Sequence, residues 1–341
     1  MKIVVLAGGL SDERDVSMSS GSKIANALIS KGHKVLLMDL YLGFPDSENF
    51  DTAYTNHGKK HYSYSIPRTE PDLDKIILEN NGRTIEIGHN VVNICKSSDI
   101  VFLGLHGGIG ENGKLQAFFD LHEIKYTGSN FKSSLLAMDK LTSKKLMLKD
   151  EILTPKWTIY KKGSQAELSV PAVVKPNDNG SSIGVKIVET NDDLQKSLAF
   201  ASKYSKEVLV EEKIIGREFS VGILNEQPLP VIELIPKSGF YDYENKYQKG
   251  ATEEVVPANV EDYLRNKMQQ IALKVNHLLG LEIYARIDFI VDESNNIYCI
   301  EANSLPGMTP TSLLPQEAEA FGIKYEDLCE QIVELSLKKF H

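Results

Sequence analysis

Short apolar runs and helical periods alternate along the first forty residues. Residues 2–7 are apolar and end at two glycines, residues 16–30 carry apolar positions at helical spacing, and residues 34–39 form a second apolar run. Short apolar runs bounded by glycine favour buried strands, and apolar residues three or four apart favour a helix. The chain therefore predicts a βαβ unit at its start, which is typical of an α/β fold with a parallel sheet.

The same kinds of pattern continue along the rest of the chain. Strands are predicted at residues 100–105, 157–160, 172–175, 208–212, 219–224 and 230–235, and helices at residues 113–121, 133–149, 264–279 and 325–338. Residues 41–90 are polar and weakly patterned, and we interpret them as an inserted or loosely ordered connection.

Residues 286–303, RIDFIVDESNNIYCIEAN, alternate between apolar and polar positions around a polar turn. With the turn at residues 294–295, the predicted hairpin sets Asp288 opposite Glu301. The same register pairs Arg286 with Asn303 and Asp292 with Ile297. Opposed carboxylates repel each other unless a cation neutralises them. Magnesium prefers such hard oxygen ligands, and the alternative is a solvated strand face with a salt bridge to Arg286.

Composition narrows the class of protein. The 341 residues fit two or three domains, and 42% hydrophobic with 25% charged residues is the composition of a globular protein. No apolar run approaches the roughly 20 residues of a membrane span and no signal peptide is evident, so we expect a cytoplasmic protein. The net charge of -9 argues against nucleic acid or membrane as the main partner. The three cysteines fit neither a disulfide framework nor a zinc site, and we interpret them as core residues.

Two stretches have features of a nucleotide site. KPNDNGSSIGV, residues 175–185, is a strand that runs into a glycine and serine loop whose N–H groups could hold phosphate oxygens, with Lys175 adding charge. Lys140 could be a second phosphate ligand. EEKIIGRE, residues 211–218, has the pattern of a hinge whose backbone could pair with adenine while Glu218 holds ribose hydroxyls. An ordinary hairpin turn, a solvated lysine and a charged connection are the alternatives.

Taken in order, these segments resemble the ATP-grasp ligases, and further blocks make the resemblance closer. The blocks are GGLSDERDVSMSSG, LHGGIGENGKLQ, YTGS, MDKLTSK, KPNDNGSSIGV, FYDYENKY, RID, EANSLPGMT and SLLP. They are similar to the blocks of the D-alanine:D-alanine ligase family from residue 2 to about residue 335, except over residues 41–90.

The resemblance implies an α/β protein with the three-domain fold of ATP-grasp ligases. A substrate-binding βαβ domain with a parallel sheet is expected at residues 1–130. Two α+β lobes that enclose ATP are expected at residues 131–211 and 212–341, with the metal site in the second lobe.

The resemblance also implies a set of site residues. The expected ATP contacts are Lys140, Lys175, Ser181, Ser182, Glu211, Lys213, Ile214, Glu218 and Lys246. The expected ligands of two magnesium ions, with manganese as a substitute, are Asp288, Glu301 and Asn303. The expected catalytic residues are Glu13, Ser181, Tyr247, Arg286 and Gly307, and the expected substrate contacts are Glu13, His106, Arg286, Ser312 and Leu313.

The implied function is ATP-dependent joining of two D-alanine molecules through a D-alanyl phosphate, for peptidoglycan precursor synthesis, by a homodimer. Tyr247 stays neutral where a histidine could be cationic, which favours an amine as the acceptor. The alternatives are D-serine or D-lactate as second substrate, or a catalytically silent nucleotide-binding homologue. A dinucleotide-dependent dehydrogenase is suggested by the two glycines after the first strand, but the stretch that begins with them, GGLSDE, lacks GxGxxG.

Overall fold

The computed structural model describes residues 1–67, 69, 71–161, 170–180, 183–237 and 252–340. The chain forms two compact units. Unit 1 comprises Met1–Ser134, Glu282–Ala285 and the segment from Ser304 onwards, and unit 2 comprises Leu135–Leu281 and Arg286–Asn303. Within the described ranges, no helix combines the length and the apolar content that a membrane span requires.

The helices and strands of the described residues are numbered in chain order. The helices are α1 (Arg14–Ser30), α2 (Phe50–His57), α3 (Leu73–Glu79), α4 (Val91–Lys96), α5 (Gly108–Glu111), α6 (Lys114–Leu121), α7 (Phe131–Met138), α8 (Lys140–Lys149), α9 (Asn191–Ala201), α10 (Asp262–Leu279), α11 (Leu313–Ala320) and α12 (Tyr325–Lys338). The strands are β1 (Lys2–Ala7), β2 (Lys34–Asp39), β3 (Ile100–Leu103), β4 (Trp157–Lys161), β5 (Ala172–Pro176), β6 (Lys186–Val188), β7 (Glu207–Glu212), β8 (Arg217–Leu224), β9 (Gln227–Pro228), β10 (Ile232–Pro236), β11 (Thr252–Val255), β12 (Tyr284–Val291) and β13 (Ile297–Asn303).

Unit 1 is built on a parallel sheet in which β1 lies between β2 and β3. Helix α1 connects β1 to β2, so the predicted βαβ opening and parallel sheet are confirmed. Ile3 to Ala7 of β1 are fully buried, as expected for a central parallel strand that is covered on both faces. Functional side chains that follow β1 and β3 therefore meet at one edge of this sheet.

The expectation of a loosely ordered connection at residues 41–90 is wrong for the first half of that segment. Tyr41, Phe50 and Tyr62 are at most 5% exposed. The Tyr62 N–H donates to the side chain of Asn26 on α1, and the Asn26 amide donates back to the Tyr62 carbonyl. The large aromatic side chains of this segment are buried, but they occur at irregular spacing along the sequence. Neither a helical nor a strand period therefore indicates that the segment is ordered.

Unit 2 contains two sheets in the described part of the chain. The first is antiparallel with the order β4-β7-β5-β6, and the second has the order β11-β10-β8-β12-β13, with β9 paired to β8. Helix α9 covers the first sheet by packing Leu194 and Leu198 against Val174 and Val208. Helix α10 contacts β8 and β13 of the second sheet.

The single helix predicted over residues 133–149 is wrong, because α7 and α8 are separate helices divided at Asp139. Asp139 is extended (φ -78, ψ 93), and its carboxylate accepts the N–H of Thr142. Such an N-cap satisfies one of the unpaired N–H groups at a helix start and so stabilises a new helix. The apolar spacing continues across the break and conceals it, and the break makes Lys140 the first residue of α8.

Strands β12 and β13 form the predicted antiparallel hairpin. Asp288 faces Glu301 and Arg286 faces Asn303, so these two predicted pairs are confirmed. All four side chains are half-buried, between the buried apolar positions of the other face.

The predicted pairing of Asp292 with Ile297 is wrong. Ile297 pairs with Val291, because a β-bulge beyond the Asp288 pair shifts the register by one residue. Ile300 is the extra residue of this bulge, and it lies half-buried beside the equally half-buried Glu301. A bulge redirects side chains locally, and here it turns two successive residues toward the same cavity.

Candidate active site

A cavity of about 650 Å³ lies in unit 2 and is lined by residues of both its sheets. The first sheet contributes Lys175 and Glu211, the second contributes Asp288 and Glu301, and α8 contributes Lys140. Part of the lining is apolar and includes Val173, Ile187, Ile214, Leu234 and Ile290. Ligand cavities are commonly about 300–1,000 Å³, so this one has room for a nucleotide with its base against apolar side chains.

Lys144, Lys175 and Glu211 form a buried ion cluster at this cavity. One Glu211 oxygen lies 3.0 Å from Lys144 Nζ and the other lies 2.9 Å from Lys175 Nζ. Burial by itself raises the pKa of Glu211, but the two ammonium groups hold it below its ordinary value. Burial lowers the pKa of Lys144 to about 8, against the opposing effect of Glu211. The cluster thus sets two ammonium groups against one carboxylate.

Lys140 lies between the glycine loop and the acidic residues of the hairpin. Its ammonium group donates to the Asn179 carbonyl at 2.7 Å and lies 3.8 Å from Glu301 Oε2. The Asn177 carbonyl and side-chain oxygen accept the N–H groups of Lys140 and Leu141 at 3.2 and 2.8 Å. The loop is thus fixed to the start of α8, and Lys140 is held with its charge at the cavity wall.

The Asp288 carboxylate is held by three neighbours. Arg286 donates from Nε and Nη2 at 2.9 and 2.8 Å, Asn303 Nδ2 donates at 3.0 Å, and Ser220 Oγ donates at 2.7 Å. A carboxylate accepts about four hydrogen bonds, so binding of a cation by Asp288 exchanges at least one of them. The salt bridge from Arg286 and the opposed acidic pair with Glu301 are both present.

The donor set fits magnesium. Among the described residues, no group of three His, Cys, Asp or Glu side chains is arranged to hold a metal ion. Asp288 and Glu301 with the amide oxygen of Asn303 instead offer two carboxylates and one neutral oxygen. Magnesium commonly takes only one or two carboxylates and fills its other positions with water and substrate phosphates.

The connector between β7 and β8 contributes to the cavity wall. Its residues Lys213 and Ile214 line the cavity, and so does Glu218, the second residue of β8. The Lys213 ammonium group donates to Glu189 at 2.5 Å. A ligand in the cavity would therefore contact the backbone of Lys213 and not its ammonium group. A Cβ on Gly216 would lie 2.2 Å from the Val291 carbonyl oxygen, so the connector needs a glycine where it passes β12.

Glu13 and His106 are neighbours at the carboxyl edge of the sheet in unit 1. The Ser11 hydroxyl donates to the His106 carbonyl at 2.7 Å and accepts the Glu13 N–H at 3.0 Å. His106 Nε2 lies 3.0 Å from Ser20 Oγ. A Cβ on Gly107 would lie 2.8 Å from Glu13 Oε2. Both predicted substrate residues are therefore fixed in one buried polar cluster.

Gly307, Ser312 and Leu313 lie in the loop that enters α11, also in unit 1. The Ser312 hydroxyl accepts the Thr309 N–H at 3.1 Å, and a Cβ on Gly307 would lie 2.9 Å from that hydroxyl. The Leu313 side chain is buried. The Ser312 hydroxyl also lies 2.8 Å from Thr309 Oγ1 and does not cap α11, so the first N–H groups of α11 are donors for an anionic ligand.

The remaining predicted site residues, Ser181, Ser182, Lys246 and Tyr247, lie outside the described residues. The structure in turn adds Lys144, Thr154 and Ser220, which the sequence did not indicate. Lys144 follows Lys140 by one helical turn, which places both on one face of α8. The sequence carries no signal that pairs Lys144 with an acid 67 residues later.

Two sheets that share a cavity lined by lysines and an acidic pair, together with a parallel α/β unit, define the ATP-grasp class of fold. The chain belongs to the D-alanine–D-alanine ligase family. The family model described as D-ala D-ala ligase N-terminus matches residues 2–129, and the one described as D-ala D-ala ligase C-terminus matches residues 140–334. The fold class and the family expected from the sequence are confirmed.

Individual relatives match along nearly the whole chain. The D-alanine–D-alanine ligase of Pediococcus pentosaceus is 47% identical over 342 residues, which cover 98% of this chain and 97% of that protein. The D-alanine–D-alanine ligase of Lacticaseibacillus casei is 43% identical over 351 residues, which cover 100% of this chain and 97% of that protein. The crystal structure of the D-alanine–D-alanine ligase from Bacillus anthracis complexed with ATP superimposes with a TM-score of 0.75 at 29% identity, covering 100% of this chain and 98% of that one.

Proposed function

We propose that this protein joins two D-alanine molecules into D-alanyl-D-alanine, with conversion of ATP into ADP and phosphate. Its relatives carry that name over the full length of the chain, and a similar solved structure contains ATP. The observation that carries the proposal is that Lys140 and Lys175 line the same cavity as Asp288 and Glu301. Phosphate-binding cations and magnesium-binding oxygens are both needed to hold a nucleotide triphosphate.

A carboxylate must be activated before an amine can displace one of its oxygens. In the proposed first step, a carboxylate oxygen of the first D-alanine attacks the γ-phosphorus and ADP leaves, which gives D-alanyl phosphate. Lys140, Lys175 and Arg286 bring positive charge to the phosphates and to the developing transition state. Asp288, Glu301 and Asn303 would hold magnesium, which would offset further phosphate charge.

In the second step, the amine of the second D-alanine attacks the activated carbonyl carbon, the amine loses a proton, and phosphate leaves. Glu13 is proposed to bind the ammonium of the first D-alanine, beside His106. Ser312 and Leu313 are proposed to anchor the carboxylate of the second, and Gly307 to donate to the developing oxyanion.

The proposal extends to residues outside the described ranges and to the assembly. Ser181, Ser182 and Lys246 are proposed ATP contacts, and Ser181 and Tyr247 are proposed catalytic residues. The proposed division into lobes at residues 131–211 and 212–341 separates the two sheets of unit 2 near the end of β7, whereas the residues from Ser304 onwards belong to unit 1. We further propose that the protein is a cytoplasmic homodimer and that its product is a peptidoglycan precursor. Light scattering at micromolar concentration tests the dimer, and a monomer mass would contradict it.

The product of the reaction tests the function. The purified protein is incubated with ATP, magnesium and D-alanine, alone or with D-serine or D-lactate, and the products are resolved by mass. D-alanyl-D-alanine should predominate at pH 7, and the ester with D-lactate should be minor. Mainly ester would reassign the second substrate, and ATP consumption with none of these products would exclude the ligase. No ATP turnover at all would indicate the silent homologue.

A further inference from the structure

Lys144 is a buried cation. Among the described residues that line the cavity, Lys144 is absent. Its side chain is 2% exposed. The ammonium group donates to Thr154 Oγ1 at 2.6 Å and to the Pro155 carbonyl at 3.3 Å, and lies 3.0 Å from Glu211 Oε1. These three contacts fix its position, so it can influence a bound ligand only through its neighbours.

Glu211 is the neighbour through which Lys144 acts. Its carboxylate divides its two oxygens between Lys144 and Lys175, and it is only 2% exposed. Without Lys144, the Glu211 charge would fall on Lys175 alone, and the two would form a neutral pair at the cavity wall. With Lys144, the cluster keeps a net charge of one positive unit beside the cavity.

We infer that Lys144 is a positioning residue that preserves the positive charge of Lys175 for the phosphates of ATP by taking up part of the Glu211 charge. The inference rests on the proposed function, because it requires a nucleotide in the cavity. It differs from a purely structural role in one respect. The loss of Lys144 should weaken contacts to phosphates and leave contacts to the base and ribose unchanged.

The experiment compares the affinities of the full chain for magnesium-ATP and for adenosine by calorimetry. The ratio of the two dissociation constants measures the contribution of the phosphates. Lys144→Met should lower this phosphate preference by about tenfold. The negative charge of Glu211 then acts on Lys175 alone, at a low effective dielectric constant. Lys145→Met is the matched control, since Lys145 is the exposed neighbour on the same helix, and its preference should equal that of the wild type.

Two further variants separate charge from structure. Glu211→Gln removes the competing acid and should keep or increase the phosphate preference. Lys144→Met combined with Glu211→Gln should restore the preference to within about threefold of the wild type, because both charges of the pair are removed together. A structural role predicts no such recovery.

Each result has one meaning. A wild type that shows no preference for ATP over adenosine contradicts the proposed function itself. A wild type with a clear preference that Lys144→Met retains overturns the inference alone. If Lys144→Met does not fold, as judged by circular dichroism, the other two variants decide. A phosphate preference lowered more than about threefold in Glu211→Gln or in the double variant overturns the inference.

Discussion

Asp288 and Glu301 are like charges placed opposite each other on a strand ladder, an arrangement that destabilises a hairpin unless cations offset it. Arg286 binds both oxygens of Asp288, and Lys140 lies 3.8 Å from Glu301. The chain therefore carries its own partial neutralisation. We expect the pair to be tolerated during folding and to strengthen binding of a divalent ion later.

Replacement of Glu301 by Gln should reduce ATP-dependent turnover by orders of magnitude, because a metal-binding carboxylate is lost while the side-chain size is kept. The midpoint of thermal unfolding should change little, since a repulsive contact with Asp288 is removed at the same time. Phosphate release at saturating magnesium measures the effect. Glu293→Gln, at an exposed position in the turn of the same hairpin, is the control. Near-normal turnover in Glu301→Gln would exclude Glu301 as a metal ligand.

Lys339 is a half-buried cation in unit 1. Its ammonium group donates to the Gly128 carbonyl at 2.5 Å, lies 4.3 Å from the centre of the Tyr126 ring, and is 3.7 Å from Glu282. Burial lowers the pKa of Lys339 to about 8, although Glu282 opposes that shift. The unfolded chain therefore binds more protons at this site than the folded protein between about pH 8 and pH 10.5.

The sign of the pH effect follows from that difference. The charged Lys339 weakens the folded state below pH 8, and this penalty is relieved as pH rises. The free energy of unfolding of the wild type, relative to Lys339→Met, should increase by about 2 kcal/mol between pH 7 and pH 9.5. Urea unfolding at both pH values measures it, with Lys338→Met at the exposed neighbour as control. A flat or falling difference would show that the folded protein does not disfavour the charged form of Lys339.

The elements with a regular period could be predicted from the sequence. The βαβ opening and the pairing of Asp288 with Glu301 follow from local periods of 3.6 and 2 residues, and both are present. The break at Asp139 and the bulge at Ile300 could not be predicted. Each changes a local hydrogen bond or one ladder position without altering the apolar pattern.

The candidate site divides in the same way. Lys175 and Lys140 have chemically suggestive neighbours in the sequence, and the structure places both on one cavity. The buried pairing of Lys144 with Glu211 depends on the packing of α8 against the first sheet of unit 2, which no local pattern encodes. Charge partners that meet through tertiary contacts are therefore the part of the site that sequence reasoning misses.

The cap of α8 should matter for more than stability, because Lys140 directly follows it. Asp139→Ala should cost about 1 kcal/mol of stability, and so should Thr190→Ala, which removes the equivalent cap of α9 in the same unit. Only Asp139→Ala should also raise the KM for ATP severalfold, since it loosens the turn that holds Lys140. Equal KM values in the two variants would contradict a positioning role for the α8 cap.

The chain crosses between its two units more than once, since unit 1 takes up residues 282–285 and everything from Ser304 onwards. Within unit 1, α12 packs against α1, and Ile332 and Val333 of α12 are fully buried. His33 after α1 pairs with Glu330 of α12 at 2.7 Å. The amino-terminal part of the chain thus depends on the carboxyl end for part of its core.

A fragment of residues 1–130 should therefore fail to unfold cooperatively, because it lacks the apolar surface of α12. The control is the same fragment joined through a flexible linker to residues 304–340, which should recover a cooperative transition. Thermal circular dichroism compares the two. A cooperative transition of similar midpoint in the short fragment would show that residues 1–130 form an independent domain.

The most direct test of the whole account follows one oxygen atom. D-alanine labelled with ¹⁸O in its carboxyl group is incubated with ATP, magnesium and the full chain, and both products are examined by mass spectrometry. The account predicts D-alanyl-D-alanine together with inorganic phosphate that contains one ¹⁸O atom, because the attacking carboxylate oxygen leaves with the phosphate. Unlabelled phosphate, or labelled phosphate without the dipeptide, would contradict it.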